Sequence, residues 1–401
     1  MLSVPDALAR VLALAPQPLA CETVPLSDAL DRHAAADVTA LLTQPPFAAA
    51  AMDGYAVRFA DLAPDHPLRL IGESAAGRRY PGHLGPGEAV RIFTGAPLPD
   101  GADTVVVQED TRADGSRVIL TGDGPGAPGR HIRAAGLDFC AGDTLIRAGD
   151  RLTPARLGLA AAGGHAALPV ARRPRVTLLS TGDELVPAGQ TPGPDQIVNS
   201  NGIMLAALLR QAGAEVRDPG ILPDRPEVIR DAIAASSEAD ILVTVGGASV
   251  GDHDHVQAAL LAAGADIDFW KIAMRPGKPM MLGQRGRAVV LGLPGNPVSA
   301  FVCARLFLLP LVRRFLSPHA PADRWLTGRL DAPLKPNGER DHFMRARVER
   351  DGGGWRVTPL GQQDSSLLVP LAAANALALH PAHAPGRPAG AEIRFLPLGD
   401  D

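Results

Sequence analysis

Residues 171–317 alternate between strand and helix patterns, and this alternation constrains the fold more than any other feature of the sequence. Short apolar runs at 176–179 and 241–245 predict buried strands. The segment after the first run has helical spacing, with Asn201 as the expected N-cap and Gly213 as the expected stop. Strands that alternate with helices predict βαβ units and a mostly parallel sheet. A ligand site is then expected at the carboxyl ends of the strands.

Three loops at the ends of predicted strands combine glycines with hydroxyl and carboxylate side chains. Glycine lets backbone N–H groups approach an oxyanion closely, and a helix N-terminus adds a positive field. Carboxylates beside a phosphate typically hold Mg²⁺ through oxygen ligands. A single loop of this kind is more often a plain tight turn, but three on one predicted sheet edge favour a site for phosphate or another oxyanion with a divalent cation. The candidate residues are Thr181, Gly182, Asp183 and Glu184; Gly246, Gly247, Ser249, Gly251 and Asp254; and Pro294, Gly295, Asn296 and Pro297. The predicted metal ligands are Asp183, Glu184 and Asp254.

Three cations, Lys271, Arg275 and Lys278, lie in a largely apolar segment at 269–283, and the first two are the candidate pair. On a single strand they would have the same parity and face one way. Cations in a buried segment need anionic partners, so this pair is expected to serve the same oxyanion site. A solvated strand edge is the alternative interpretation.

Composition narrows the class of protein. The chain has 401 residues, enough for two to four domains, and a net charge of -4, which argues against a nucleic-acid binder. Cys21, Cys140 and Cys303 are scattered without a CxxC pair, as is typical of a reducing compartment. We find no signal peptide pattern and no unbroken apolar stretch long enough for a membrane helix. A cytoplasmic protein without a membrane or nucleic-acid partner is expected.

The remaining regions differ in their patterns of apolar and turn-forming residues. Residues 5–40 and 153–164 have helical patterns, whereas 45–130 consists of short apolar runs between glycine- and proline-rich turns. Such runs predict a β domain. The same β texture returns after residue 318, which predicts a second, C-terminal β domain.

Seven motifs occur together and in one order. They are PPFAAAAMDGYAV, RIFTGAPLPDGADTVVVQED, STGDEL, VNSNG, GGASVGDHDHV, MRPGKP and GLPGNPVSA. In this combination the chain resembles the molybdopterin molybdenumtransferase family, often called MoeA, whose eukaryotic relatives include the C-terminal part of gephyrin. The resemblance covers nearly the whole chain.

The resemblance implies four domains and a homodimer. Residues 1–44 and 131–170 would form one elongated, mostly helical domain, and 45–130 a β domain. Residues 171–317 would form the α/β molybdopterin-binding domain, and 318–401 a C-terminal β-barrel-like domain. In this family each active site lies in a cleft that also receives residues from the partner's β domain.

The resemblance also implies a reaction. Family members insert molybdate into adenylylated molybdopterin and release AMP, the last step of molybdenum cofactor biosynthesis, with Mg²⁺ or a similar divalent cation. The molybdopterin adenylyltransferase, which makes that substrate, is an expected partner. The residues suit this chemistry, because cleavage of a phosphoanhydride needs cations that stabilise charge on phosphate.

The motif matches identify which residues of this chain correspond to the family's site residues. The implied catalytic residues are Asp53, Thr94, Asp138, Glu184, Asp224, Asp254, Lys271 and Arg275. Arg345 and Ser365 join the strand-end loops as substrate-binding candidates. Asp53 and Thr94 are expected to meet a partner's cleft.

Two departures from the family pattern stand out. Ala48 and Ala50 replace an Asp and a Ser, so a hydroxyl contact at position 50 is lost. Asp364 precedes Ser365 where the family has glycine, which adds a negative charge beside the expected anion.

Two alternative functions are open at this point. An adenylyltransferase that makes the adenylylated intermediate has a similar α/β domain, but it would need only that region, and the AMDGYAV and FTGAP blocks favour the transferase. A scaffold built on the fold, as in gephyrin, would bind no pterin and release no AMP. The chain shows no long linker or extra domain for that role.

Overall fold

The structure, a computed structural model, describes residues 1–15, 19–63, 66–246, 255–318, 320 and 322–399. The chain divides into two units. The first consists of Met1–Glu22, Asp31–His33 and Val170–Asp401, and the second of Thr23–Leu30 and Ala34–Pro169.

The described residues form helices and strands that we number along the chain. The helices are α1 (Val4–Ala13), α2 (Pro154–Ala162), α3 (Ser200–Gln211), α4 (Pro226–Ala234), α5 (His255–Ala262), α6 (Pro297–Cys303), α7 (Leu309–Leu316) and α8 (Leu368–Ala373). The strands are β1 (Cys21–Pro25), β2 (Val38–Thr39), β3 (Ala49–Ala50), β4 (Gly54–Val57), β5 (Leu68–Ser74), β6 (Glu88–Ile92), β7 (Thr104–Val107), β8 (Thr111–Asp114), β9 (Arg117–Leu120), β10 (Ile132–Arg133), β11 (Thr144–Ile146), β12 (Ala167–Ala171), β13 (Arg175–Thr181), β14 (Leu185–Val186), β15 (Ile197–Val198), β16 (Glu215–Arg217), β17 (Ile221–Leu222), β18 (Ile241–Val245), β19 (Asp266–Lys271), β20 (Met274–Arg275), β21 (Pro279–Arg285), β22 (Ala288–Leu293), β23 (Leu326–Leu330), β24 (Asp341–Asp351), β25 (Gly354–Pro359), β26 (Ala376–His380) and β27 (Glu392–Pro397). A π-helical turn, Ala304–Leu308, joins α6 to α7.

A seven-stranded sheet organises the first unit. Its order is β16-β13-β18-β22-β21-β19, with β17 also paired to β13. Strands β13, β16, β17, β18 and β22 run parallel, and only the pairings of β21 with β22 and β19 are antiparallel. Every residue of β18 and β22 is buried, as expected for strands covered on both faces. The prediction of a mostly parallel α/β sheet is confirmed.

The carboxyl ends of three adjacent strands are aligned. Ser180 of β13 lies opposite Val245 of β18, which lies opposite Leu293 of β22. The loops that follow β13, β18 and β22 therefore leave the sheet at one edge, where a parallel α/β sheet places its ligands.

Helix α3 begins two residues earlier than expected. The side chain of Asn199, and not that of Asn201, accepts the backbone N–H of Gly202 at 3.1 Å and caps the helix. The predicted stop at Gly213 is correct, since this residue has a φ of 92°. The amide of Asn201 is free to contact another loop.

The N-terminal region is less helical than predicted. Among the described residues of 5–40 there is one α-helix, α1, followed by short strands and a 3-10 turn. Prolines at 16, 18 and 25 cannot supply the N–H groups of a continuous helix. Ala7 and Val11 of α1 lie in the same buried cluster as Val176, so this helix packs with the sheet. The predicted layout had grouped it with residues 131–170.

The second unit is built mainly from strands. A six-stranded sheet has the order β7-β4-β6-β5-β9-β8, which confirms the β character predicted for 45–130. Among the described residues of this unit the only α-helix is α2. The mostly helical domain predicted from 1–44 and 131–170 is therefore wrong in its helix content.

The C-terminal strands close into a barrel. Strands β24, β25, β23, β27 and β26 are neighbours in that order, and β26 pairs back with β24. Strand β20 adds to the outer edge of β24. The barrel-like architecture expected for the C-terminal region is confirmed.

All three cysteines are free thiols, two of them exposed. Burial raises the pKa of the third, Cys303, to about 12, so it stays protonated. Within the described ranges, no helix combines the length and apolar character that crossing a membrane requires.

Candidate functional site

The ends of β13, β18 and β22, with the first described residues after them, lie close together at the carboxyl edge of the sheet. The backbone N–H of Gly246 donates to the Leu293 carbonyl at 3.2 Å. A Cβ on Gly246 would lie 3.2 Å from the Thr181 carbonyl oxygen, and one on Gly295 would lie 3.8 Å from the Gly246 Cα. With a φ of 89°, Gly246 also has a conformation that other residues rarely adopt. The predicted residues Gly247, Ser249, Gly251 and Asp254 lie outside the described residues.

The PGNP turn connects two distant parts of the first unit. Asn201 donates its side-chain amide to the Gly295 carbonyl at 2.6 Å. The Asn296 amide donates to the Ser365 hydroxyl at 3.1 Å, and the Val298 N–H donates to the Ser365 carbonyl at 3.0 Å. The structure thus places Ser365, whose motif match was loose, directly beside the third strand-end loop.

Three acids cluster where β13 and β17 end. The backbone N–H of Asp224 donates to Asp183 Oδ1 at 3.1 Å. Partial burial, followed by the negative charges of Asp183 and Glu184, raises the pKa of Asp224 above its ordinary value of 3.8. Carboxylates held this close together repel one another, and a divalent cation would relieve that repulsion.

The donor set suits Mg²⁺, although the ligand sphere is not preassembled. Carboxylate oxygens are the ligands that this ion prefers, and Asp183 and Glu184 are exposed. Among the residues that the structure describes, no group of three or more His, Cys, Asp or Glu side chains is already arranged around a metal position.

Replacing Asp224 with asparagine is expected to stabilise the protein at neutral pH by less than about 1 kcal/mol. A carboxyl whose folded pKa is raised contributes stability below pH 3.8, its ordinary value, and this contribution is lost as the pH rises through the folded pKa. The advantage of Asp224→Asn should therefore vanish in acid. Urea unfolding between pH 3 and 8 measures it, with the exposed Asp231→Asn, whose residue pairs with Arg230, as the control. Equal free energies of unfolding for the wild-type protein and Asp224→Asn at neutral pH would contradict the proposed repulsion between the acids.

The two predicted cations do not share a strand. Strand β19 ends at Lys271, and Arg275 belongs to β20, which pairs with the barrel strand β24. The prediction that both project from one face of a single strand is wrong, because the chain leaves the sheet between them. Both side chains are exposed, as contact with a ligand requires.

Asn337 is a neighbour of the site that the sequence did not indicate. Its Oδ1 accepts a hydrogen bond from Arg275 Nη2 at 3.0 Å. Its amide donates to the carbonyls of Arg340, His380 and Pro381, each at 2.8 Å. In the sequence, Asn-Gly at 337–338 indicates only a turn. The contact with Arg275 spans 62 residues and has no local signal.

His342 lies beside Arg275 in the register of β20 and β24. Burial, followed by the charge of Arg275, lowers the pKa of His342 to about 4. The imidazole is therefore neutral at physiological pH, and Arg275 keeps its positive charge without an adjacent second cation from this residue.

Arg345 is buried, and its side chain supports the loop that carries Ser365. Its guanidinium donates to the carbonyl of Leu367 at 3.1 Å and to that of Gln362 at 2.9 Å. Burial lowers its pKa. These contacts are with protein groups, so the direct ligand contact predicted for Arg345 stays a prediction.

The additional acid at position 364 is held by its own loop. The Ser366 hydroxyl and backbone N–H donate to Asp364 Oδ1 at 2.6 and 2.8 Å. These two hydrogen bonds lower the pKa of Asp364, and the charge of Arg345 acts in the same direction. The extra charge is thus partly satisfied within the loop.

Asp53 and Thr94 form a pair in the second unit. Asp53 Oδ1 accepts both the Thr94 backbone N–H at 2.7 Å and the Thr94 hydroxyl at 2.8 Å. These hydrogen bonds, with the positive charge of Arg91 as a smaller contribution, lower the pKa of Asp53. The carboxylate is ionised at neutral pH, and its second oxygen is not used by Thr94.

The MDGY motif also contains a structural requirement. A Cβ on Gly54 would lie 1.9 Å from the Val106 carbonyl oxygen, so no other residue fits there. Ala50 is fully buried in a cluster with Val90 and Ala96. A hydroxyl at position 50 would therefore lie inside the unit, and its loss removes no exposed contact.

Asp138 lies in the same unit with its side chain exposed, while its backbone N–H donates to the Gln44 carbonyl at 3.0 Å. Its predicted catalytic role stays a prediction. The predicted substrate-binding residues Thr181, Gly182, Pro294 and Pro297 lie at the loop junction described above. Thr181, Gly182 and Pro294 are buried there, which favours a role in loop shape.

Comparisons with known proteins agree with this architecture. Family models match residues 2–164 as the MoeA N-terminal region (domain I and II), 177–314 as a probable molybdopterin binding domain and 327–398 as the MoeA C-terminal region (domain IV).

Relatives and a solved structure match over most of their length. The chain is 36% identical to the molybdopterin molybdenumtransferase of Bacillus subtilis over 392 residues, which cover 95% of this chain and 90% of the relative. It is 39% identical to that of Haemophilus influenzae over 315 residues, 78% of each chain. A molybdopterin biosynthesis MoeA protein from Pyrococcus horikosii has a TM-score of 0.85 at 29% identity, with 100% of both chains covered.

Fold, loops and matches together define a multidomain enzyme built around a molybdopterin-binding α/β domain. The chain belongs to the MoeA family of molybdopterin molybdenumtransferases. It is accordingly a transferase with a role in molybdenum cofactor biosynthesis.

Proposed function

We propose that this transferase inserts molybdate into adenylylated molybdopterin and releases AMP. The observation that carries the proposal is the alignment of the carboxyl ends of β13, β18 and β22 at one edge of the sheet. There the backbone of Gly246 and Gly295 approaches closely, and the acid cluster lies at the end of β13. Close backbone suits phosphate and molybdate oxygens, and acids suit a divalent cation.

Each group has a proposed role. Lys271 and Arg275 would stabilise negative charge on the phosphate and on molybdate, since both are exposed cations. Asn296 and Ser365, already hydrogen-bonded to each other, would donate to ligand oxygens. No covalent protein intermediate is proposed, because the motifs contain no Cys or Ser–His arrangement typical of a nucleophile.

Mg²⁺ is proposed as the cofactor. Asp183 and Glu184 would hold it, with Asp224 beside them and with Asp254 as the predicted further ligand. When bound, the cation would stabilise charge on the phosphoanhydride. Added Mg²⁺ should raise the melting temperature of the wild-type protein more than that of Asp224→Asn.

The proposed setting is a cytoplasmic homodimer. Following the family resemblance, we propose that Asp53 and Thr94 act in the active site of a second copy. The molybdopterin adenylyltransferase is the proposed source of the substrate, because its product would be consumed here. Sedimentation analysis of the purified chain measures the dimer directly.

The decisive experiment is AMP release from purified adenylylated molybdopterin with Mg²⁺, with and without molybdate. Release that depends on molybdate, together with formation of active cofactor, is the expected result. Tight pterin binding without AMP release in either condition would contradict the proposal and favour a carrier or scaffold. Formation of adenylylated molybdopterin from ATP would instead favour the adenylyltransferase.

A further inference from the structure

The guanidinium of Arg91, a residue outside the predicted site, contacts four protein groups. It lies on β6 opposite Tyr55 of β4. Its guanidinium lies 5.0 Å from the Tyr55 ring centroid and 4.9 Å from that of Phe93. Two aromatic rings therefore hold the cation, an arrangement that suits the flat guanidinium of arginine.

The same guanidinium makes two directed hydrogen bonds. Nη1 donates to the Gly54 carbonyl at 3.0 Å, and Nη2 donates to Gln108 Oε1 at 2.7 Å. The backbone N–H of Gln108 in turn donates to the Asp53 carbonyl at 3.1 Å. With both rings and both acceptors engaged, the orientation of the side chain is well determined.

Three of the four partners of Arg91 adjoin the Asp53–Thr94 pair. Gly54 follows Asp53 in the chain, and Phe93 precedes Thr94. Gln108 is joined to Asp53 through its backbone. Arg91 thus links the turn that carries the carboxylate to the turn that carries its two donors.

We propose that Arg91 is a positioning residue that holds the turns of Asp53 and Thr94 together and so fixes the direction of the Asp53 carboxylate. The inference rests on the proposed role of Asp53 in the reaction. The guanidinium of Arg91 is engaged with Gly54, Gln108 and two aromatic rings, so its proposed action is through Asp53. The positive charge of Arg91 also favours the ionised form of Asp53.

Lysine cannot replace this arrangement. An ammonium group is a compact point charge, whereas arginine offers a planar fork with donors in fixed directions and two faces for stacking. Arg91→Lys therefore keeps the charge but loses the link between the two turns.

The test compares Arg91→Lys with Asp53→Asn and with the double variant, in the molybdate-dependent AMP assay. We expect Arg91→Lys to lower kcat about 10- to 100-fold with little change in KM, because the displaced group acts in the reaction step. We expect no further loss when Arg91→Lys is added to Asp53→Asn, since both changes act through one carboxylate. Arg69→Lys is the matched control, because Arg69 lies on the same sheet, is exposed and pairs with Glu88.

Gln108→Ala provides a milder second variant if Arg91→Lys does not fold. It removes one acceptor of the guanidinium and should lower kcat by a smaller factor in the same direction. Full kcat in a folded Arg91→Lys, or in Gln108→Ala, would overturn the inference, as would multiplicative losses in the double variant. If Asp53→Asn itself has full activity, the proposed role of Asp53 fails and the inference fails with it. Loss in Asp53→Asn without loss in Arg91→Lys would refute the inference alone.

Discussion

Replacing Asp53 with alanine is expected to lower kcat about 100- to 1000-fold, the usual loss when one group that acts on a transition state is removed. The carboxylate is fixed by two donors from Thr94 and is ionised at neutral pH. Both residues are at least partly exposed, so the free energy of unfolding should change little. Turnover in the AMP assay measures the loss of activity, and a urea unfolding curve shows whether the variant is as stable as the wild-type protein.

Asp53→Asn shows whether the charge matters or only the contact with Thr94. Asparagine keeps an acceptor for the Thr94 donors but carries no charge. An activity near that of Asp53→Ala would mean that the negative charge is needed. Asp114→Ala, an exposed acid of β8 in the same sheet, is the control and should be fully active. Retained turnover in Asp53→Ala would remove Asp53 from the site.

Replacing Arg345 with methionine is expected to destabilise the protein by about 2–3 kcal/mol and to lower kcat/KM about 100-fold. The change replaces a buried guanidinium and leaves the carbonyls of Gln362 and Leu367 without these donors. The loop that presents Ser365 to Asn296 should then loosen, which misplaces a ligand-binding group. Urea unfolding, steady-state kinetics and amide hydrogen exchange of residues 362–367 measure the three effects.

Arg345→Lys distinguishes support of the loop from direct contact with a ligand. Lysine keeps the charge but cannot donate to both carbonyls in the arginine geometry. Loss of stability and faster exchange at 362–367 in this variant would support the structural role. Unchanged exchange with lost activity would favour the direct contact. Arg347→Met, at an exposed position of the same strand paired with Glu349, is the control.

The sheet and its strand-end loops were predictable because their signals are local. An apolar run such as 241–245 followed by glycine is typical of a buried strand that ends in a turn. Parallel strands in βαβ units then bring their carboxyl ends to one edge by topology alone. The helical prediction for 5–40 was wrong beyond α1. It relied on the apolar spacing and gave too little weight to the prolines, which interrupt a helix.

Contacts between distant segments had no such signal. The bond between Asn296 and Ser365 joins residues 69 positions apart, and that between Arg275 and Asn337 joins residues 62 apart. Neither asparagine differs, in sequence, from one in an ordinary turn.

The sequence by itself determined the family, the parallel sheet and the chemical character of the loops, because motifs, periodicity and residue types are properties of short segments. Only the tertiary structure decided which side chains contact one another. It buried Arg345 behind the Ser365 loop, separated Lys271 from Arg275 by a break between strands, and placed Arg91 between two aromatic rings. Those outcomes depend on packing and hydrogen bonds between segments far apart in the chain, which a local sequence pattern does not predict.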